Sequence, residues 1–127
     1  MTNEQLAEIE ARCKAATPEP WSWWFPSGAK GPSLAHPRHG LLLVMDAIRV
    51  GMQGGTIRFA QRTDVMGGLM RPAATFIHEK GGHRADWASI DNADAQFIEH
   101  ARSDVPALVA EVRRLRALLA VTESGDA

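Results

Sequence analysis

The sequence predicts an α+β domain: a small antiparallel sheet with an N-terminal helix and a C-terminal helical pair. Three observations predict it. Apolar residues recur at helical spacing at both ends of the chain. Between the ends, short runs alternate with period two, as strands do. Glycines and prolines punctuate that middle part, where turns belong. At 127 residues the chain suits one domain, 1–127, with one core. The expected parts are a helix over 2–15, sheet and loops over 20–78, and a helical pair over 91–120.

The first helix is expected from about Thr2 to Ala15. Thr2 or Asn3 caps it, and Gln5 stands three residues after Thr2, as in a capping box. Leu6, Ile9 and Cys13 form one stripe, read as its inner face. Thr17-Pro18-Glu19-Pro20 then ends it, because proline lacks the N–H a helix needs. In Trp21-Ser22-Trp23-Trp24-Phe25, alternation puts Trp21, Trp23 and Phe25 on one face of a short strand and Trp24 on the other. The stretch from Pro26 to Gly40 reads as a loop. Leu41 to Val50 reads as a central strand, Gly51 to Gly55 as a turn, and Thr56 to Gln61 as the returning strand of a hairpin. A further strand is expected over Ala74 to His78.

The C-terminal part reads as two helices. Asp91 or Asn92 caps the first, which runs to about Arg102 with Ala93, Phe97, Ile98 and Ala101 inward. Ser103 or Asp104 caps the second, with Pro106 in its first turn. Val105, Leu108, Val112, Leu115 and Leu119 follow at spacings of 3, 4, 3 and 4. That is the a/d seam of a heptad repeat, and it predicts a partner helix. The partner is a second copy, making a homo-oligomer, or the first helix of the same chain.

Composition narrows the function. The net charge is −1, from 14 basic and 15 acidic residues, which gives no electrostatic case for a nucleic-acid polymer as partner. Eleven of the basic residues are arginines, whose planar fork suits carboxylate and phosphate; the bias of a GC-rich genome gives the same count. Cys13 is the only cysteine, so no intrachain disulfide is available. The polar, acidic start does not read as a signal peptide, and no apolar run is long enough for a membrane span. A cytoplasmic location follows as the expectation.

Four constellations bear on chemistry. Three tryptophans in four residues, Trp21, Trp23 and Trp24, offer rings that stack a flat ligand at roughly 1–3 kcal/mol per base. Core burial is the weightier reading for Trp21 and Trp23, and Trp24 is the ring expected at a surface. Arg38, Arg49, Arg58 and Arg62 surround the hairpin; Arg49 and Arg58, on neighbouring strands, would form a small anion site or a solvated sheet face. His78-Glu79-Lys80-Gly81-Gly82-His83 fails the zinc-protease pattern, which needs histidines four apart on a helix. With His36, His39 and His100 equally without ligand spacing, neither a metal nor a cofactor is expected. Cys13 reads as a small buried hydrophobe, and no nucleophile elbow or Walker loop is present, so no catalytic residue is named.

Two segments carry a family resemblance. Ala15-Ala16-Thr17-Pro18-Glu19-Pro20-Trp21 near the start and Asn92 to Leu108 (NADAQFIEHARSDVPAL) near the end together resemble small phage and prophage accessory proteins, including those called Ead-like. The family usually has glycine between the two prolines, where this chain has Glu19. The resemblance implies an accessory protein without an agreed activity, and it transfers no catalytic residues. It implies fixed ends clasping a variable sheet, which suits proteins that meet changing host targets.

These readings converge on a non-enzymatic, oligomeric phage protein acting in the host bacterial cytoplasm. The leading expectation is sequestration of a nucleotide-type immune signal, as counter-defence, through Trp21, Trp23, Trp24, Arg38, Arg49 and Arg58. Leu108, Val112, Leu115 and Leu119 would pack the helices. The second is a protein–protein inhibitor of a host enzyme acting through Trp24 and the exposed loop. The third is a small hydrolase using His78, Glu79 or His83.

Overall fold

A computed structural model of the chain describes residues 1–37, 42–52, 54–61, 69–77 and 89–125. It is α+β, with an N-terminal helix, a five-stranded antiparallel sheet and a long C-terminal helix. Helix α1 spans Asn3–Ala15. Thr2 caps it: the Thr2 hydroxyl accepts from the Gln5 N–H at 3.1 Å, and the Gln5 side chain accepts from the Thr2 N–H at 2.8 Å. The reciprocal pair satisfies donors that a helix start leaves without partners.

Strands β1 (Ser22–Trp24), β2 (Ser33–His36), β3 (Leu42–Val50), β4 (Gly54–Gln61) and β5 (Leu69–Pro72) lie in sequence order, each antiparallel to the next. Two sequence expectations are corrected. The stretch from Pro26 to Gly40 is not all loop, because it contains β2, which pairs on both sides. The last strand among the described residues is β5, ahead of the expected Ala74 to His78; Ala73–Phe76 instead forms a 3-10 turn, and Ile77 bridges Ile90. His78 lies outside the described residues. The hairpin of β3 and β4 forms as expected, and Gly51 in its turn takes a φ of +66°, open to glycine at little penalty.

Gly31 serves closer packing. A Cβ there would stand 1.7 Å from the carbonyl oxygen of Ala47, so only glycine lets the chain before β2 approach β3. The neighbouring Ala47 N–H donates to the Pro32 carbonyl at 3.2 Å. Val44, Ala35, Phe59 and Ala60 form the buried centre of the sheet.

The two C-terminal helical stretches run on as one helix, α2, over Ala93–Gly125. The expected start at Ser103 or Asp104 does not interrupt it. Asp104 is used elsewhere: Arg12 of α1 donates to both its oxygens, at 3.0 and 3.2 Å. Pro106 therefore sits inside the helix, where it leaves the Arg102 carbonyl without its usual donor. Asn92 caps the start of α2, accepting from the Ala95 N–H at 3.0 Å and donating to the Ala60 carbonyl of β4 at 3.1 Å.

Helices α1 and α2 lie antiparallel. Thr17, just past α1, meets Asp94; Arg12 meets Asp104; the Met1 ammonium meets Glu111 at 3.4 Å. Ile9 is buried between the helices, together with Ala16 and Ala95 near the sheet end. The rest of the expected inner stripe of α1 is not inner. Leu6 is exposed and so is Cys13, which is no buried hydrophobe. On α2, Phe97 and Ala101 are half-buried, whereas Ala93 and Ile98 are exposed.

Candidate functional site

The six residues expected to bind a ligand do not converge. Trp21 precedes β1, and its indole N–H donates to the Thr17 carbonyl at 3.0 Å. Its ring stands edge-on to Phe97 with centroids 5.3 Å apart, the geometry aromatic quadrupoles favour. Trp21 thus fastens the start of the sheet to α2. Trp23 and Trp24 lie in β1 on opposite faces, as alternation requires: Trp23 is in register with Leu34, Trp24 with Ser33. Core burial is not the fate of Trp23, which is 67% exposed. An edge strand of three residues has a neighbour on one side only, and β1 is exposed throughout. Trp24 is also exposed, as expected for the surface ring.

The arginine pair is separated too. Arg49 is in register with Gly55 and Arg58 with Asp46, so the two guanidinium groups leave opposite faces of the sheet. Arg58 is committed to Asp46, donating from Nε at 2.9 Å and from Nη2 at 2.6 Å. Asp46 is buried, and this fork compensates the burial of its charge. The hydrogen bonds to Asp46 hold the Arg58 pKa above its ordinary value. Arg49 is exposed and donates to the Gly51 carbonyl across the turn at 3.2 Å. Arg38 and Arg62 lie outside the described residues.

One sheet face retains the means to hold a ligand. Trp23, Leu34, Met45 and Phe59 form a cross-strand row on it. Beside that row, Phe25, Ala47, Ile57 and Gly55 line a shallow open depression of about 730 Å³, with Arg49 and Lys30 on its margin. Phe25 and Ile57 are exposed large apolar residues. The site has an aromatic wall, an apolar floor without a side chain at Gly55, and two cations. It lacks any paired acid and base. Phe25 and Arg49 were legible in the strand alternation; Lys30 was not, because it lies in the stretch read as loop.

Elsewhere, a smaller depression of about 440 Å³ lies at the root of α2, between Gln61, Thr75, Phe76 and the Asp91–Asp94 segment. Its buried carboxylate, Asp94, accepts from Thr17. His36 is buried in β2, and His100 lies 3.9 Å from Glu99 on the surface of α2. Among the described residues, no group of three His, Cys, Asp or Glu could hold a metal ion. His39, His78, Glu79 and His83 lie outside them. No helix among the described residues is long and apolar enough to cross a membrane.

The seam residues all lie on α2, yet α1 does not cover them. It packs on the side of α2 that carries Asp104 and Glu111. Val105, Val112, Leu115 and Leu119 are exposed, and Leu108 is half-buried. The first helix is thus not the partner of the seam. No family model, curated protein or solved structure matches the chain.

Proposed function

We propose that the chain is a non-catalytic binding protein whose Phe25–Ile57 sheet face takes a flat, anionic, nucleotide-type ligand. The single observation behind this reading is the company that Phe25 keeps. An aromatic ring, a glycine-floored apolar surface, Lys30 and Arg49 border one depression. Stacking supplies sequence-tolerant affinity for a base, and the two cations supply charge for phosphate. The resemblance of both chain ends to phage accessory proteins sets the biological context. In it the protein is phage-encoded, acts in the host cytoplasm and sequesters a nucleotide immune signal. A shallow, one-sided site encloses such a ligand better when copies of the chain associate, so the reading includes a homo-oligomer.

Calorimetric titration against cyclic and ADP-ribose-derived nucleotides tests it. The expected result is saturable heat with one panel member, lost in Phe25→Ala and in Arg49→Ala. Absence of heat with every member overturns it. Trp24 favours a second reading, inhibition of a host enzyme. It is 41% exposed on the face opposite Trp23, away from the two cations. A stoichiometric host protein retained by the parent and lost by Trp24→Ala supports that alternative.

A further inference from the structure

Because α2 does not break at Ser103, its apolar seam is longer than the five residues that first define it. The same heptad phase takes in Ile98 and Ala101 before Val105, and Thr122 after Leu119. From Ile98 to Leu119 the apolar positions cover about three heptads, the length from which a coiled coil sustains itself; Thr122, whose hydroxyl donates to the Leu118 carbonyl, closes the phase with a polar residue. Pro106 falls at an outer position, so it does not enter the seam.

Most of this seam is open, with Ala101 and Leu108 half-buried. Val105, Val112, Leu115 and Leu119 are between 46% and 61% exposed. The margin away from α1 carries Arg102, Arg113 and Arg116. Helix α1 ends level with Glu111, where Met1 meets it, so Leu115, Leu118 and Leu119 have no neighbour on α1. On α1, Leu6 and Cys13 are exposed on the side of Ile9 away from Gln5 and Arg12, and they extend the apolar surface.

We propose that α2 pairs in parallel with α2 of a second copy along this seam. The a/d pattern is self-complementary, so a second copy supplies the knobs and holes that each chain lacks. Charge selects the direction. In a parallel pair, Glu111 at a g position, which also accepts from Arg114 and the Met1 ammonium, lies on the side facing Arg116 of the second copy at an e position, twice by symmetry. In the antiparallel register that overlaps the whole seam, with Val105 against Leu115, Arg102 faces Arg116 and Glu111 faces Glu111, which places like charges together; a register shifted by one heptad avoids this only by giving up part of the overlap. The parallel arrangement also brings Val109, an apolar residue at an e position, beside Leu6 of the other copy's α1. The pairing deepens the self-association in the proposed function and depends on none of its ligand chemistry, because a single chain could bind a nucleotide and a dimer could bind none.

The test is the mass of the full chain in solution by light scattering, without nucleotide. The expected mass is twice the 13.8 kDa of one chain. Leu115→Asp is expected to reduce it to one chain with the helical circular dichroism retained, since Leu115 lies beyond α1. If that variant loses its helical signal, Arg116→Glu serves instead; it is expected to weaken association by setting Glu against Glu111. In a Cys13→Ser background, Leu119→Cys is expected to form a covalent dimer on oxidation, because parallel pairing sets position 119 against itself. A parent mass of one chain overturns the proposal. So does association that survives both Leu115→Asp and Arg116→Glu. A dimer that cross-links between Val105→Cys and Leu115→Cys chains, and not through Leu119→Cys, overturns the parallel direction.

Discussion

Thr17 gives both its backbone N–H and its hydroxyl to the carboxylate of Asp94, at 2.5 and 2.6 Å. Both residues are buried. The contact joins the segment just past α1 to the start of α2, and four residues further on Trp21 stands edge-on to Phe97. These two segments are therefore one structural unit, the clamp between α1, β1 and α2. A hydrogen bond to a charged group contributes roughly 1.5–3 kcal/mol. Thr17→Val keeps the shape and the N–H but removes the hydroxyl, and it is expected to destabilise the fold by about that amount. Asp94→Ala, which removes the acceptor for both donors, is expected to do more. Urea denaturation followed by tryptophan fluorescence checks both.

Gly31 makes a sharper claim. Any Cβ there meets the Ala47 carbonyl oxygen at 1.7 Å, and a backbone atom cannot swing aside as a side-chain end can. Gly31→Ala is expected to separate the chain before β2 from β3, at the edge of the candidate ligand face. Overpacking of this kind costs about 1–3 kcal/mol or more. The readout is thermal unfolding, beside Gly28→Ala as a comparison. Gly28 has φ +85° but open space around it, so its loss reflects backbone strain alone.

Glu111 ties α1 to α2 through charge. Its carboxylate accepts from Arg114 at 2.6 and 3.1 Å and lies 3.4 Å from the Met1 ammonium. The hydrogen bond from Arg114, helped by the ammonium, pushes its pKa down to about 2 from an ordinary 4.5. A depressed carboxylate pKa stabilises the fold above the unfolded value, and the benefit is lost as pH falls through the folded value. The contribution is therefore full above pH 4.5 and disappears between 4.5 and about 2. Melting temperatures across that window are expected to fall less steeply for Glu111→Gln than for the parent.

Pro106 is the irregularity of α2. It is exposed and lies inside the helix, where proline costs about 3 kcal/mol relative to alanine. Pro106→Ala is expected to raise stability by up to about that amount and to leave the seam unchanged, since the residue is outside it. Calorimetric unfolding checks the gain.

What was legible in the sequence was local. The Thr2–Gln5 box needs only neighbours, and so do the Asn92 cap and the β3–β4 hairpin. Strand β2 was not legible, because Ser33-Leu34-Ala35-His36 lies between Pro32 and Pro37 and becomes a strand through pairing with β1 and β3. The break expected at Ser103 and Asp104 follows from good capping residues; Arg12, distant in sequence, takes the Asp104 side chain instead. The 3-4 spacing located the apolar stripe of α2 without saying which side α1 occupies. Alternation placed Trp23 and Trp24 on opposite faces, but whether a layer covers a face is decided by distant elements. That is why the exposure of Trp23 escaped it.

Asn92 carries a mechanical consequence. It joins the first turn of α2 to the backbone of β4, and α2 has 33 residues, about 50 Å at 1.5 Å per residue. A rod of that length fixed near its root is a lever: a tilt of about 5° at Asn92 carries the far tip through about 4 Å. Asn92 shares the hold on that root with Asp94, which Thr17 grips, and with Phe97, against which Trp21 stands. A shortened residue such as Asn92→Ser, which retains a cap but forfeits the reach to Ala60, would release one of these holds, and any slack it leaves at the root is magnified at the tip.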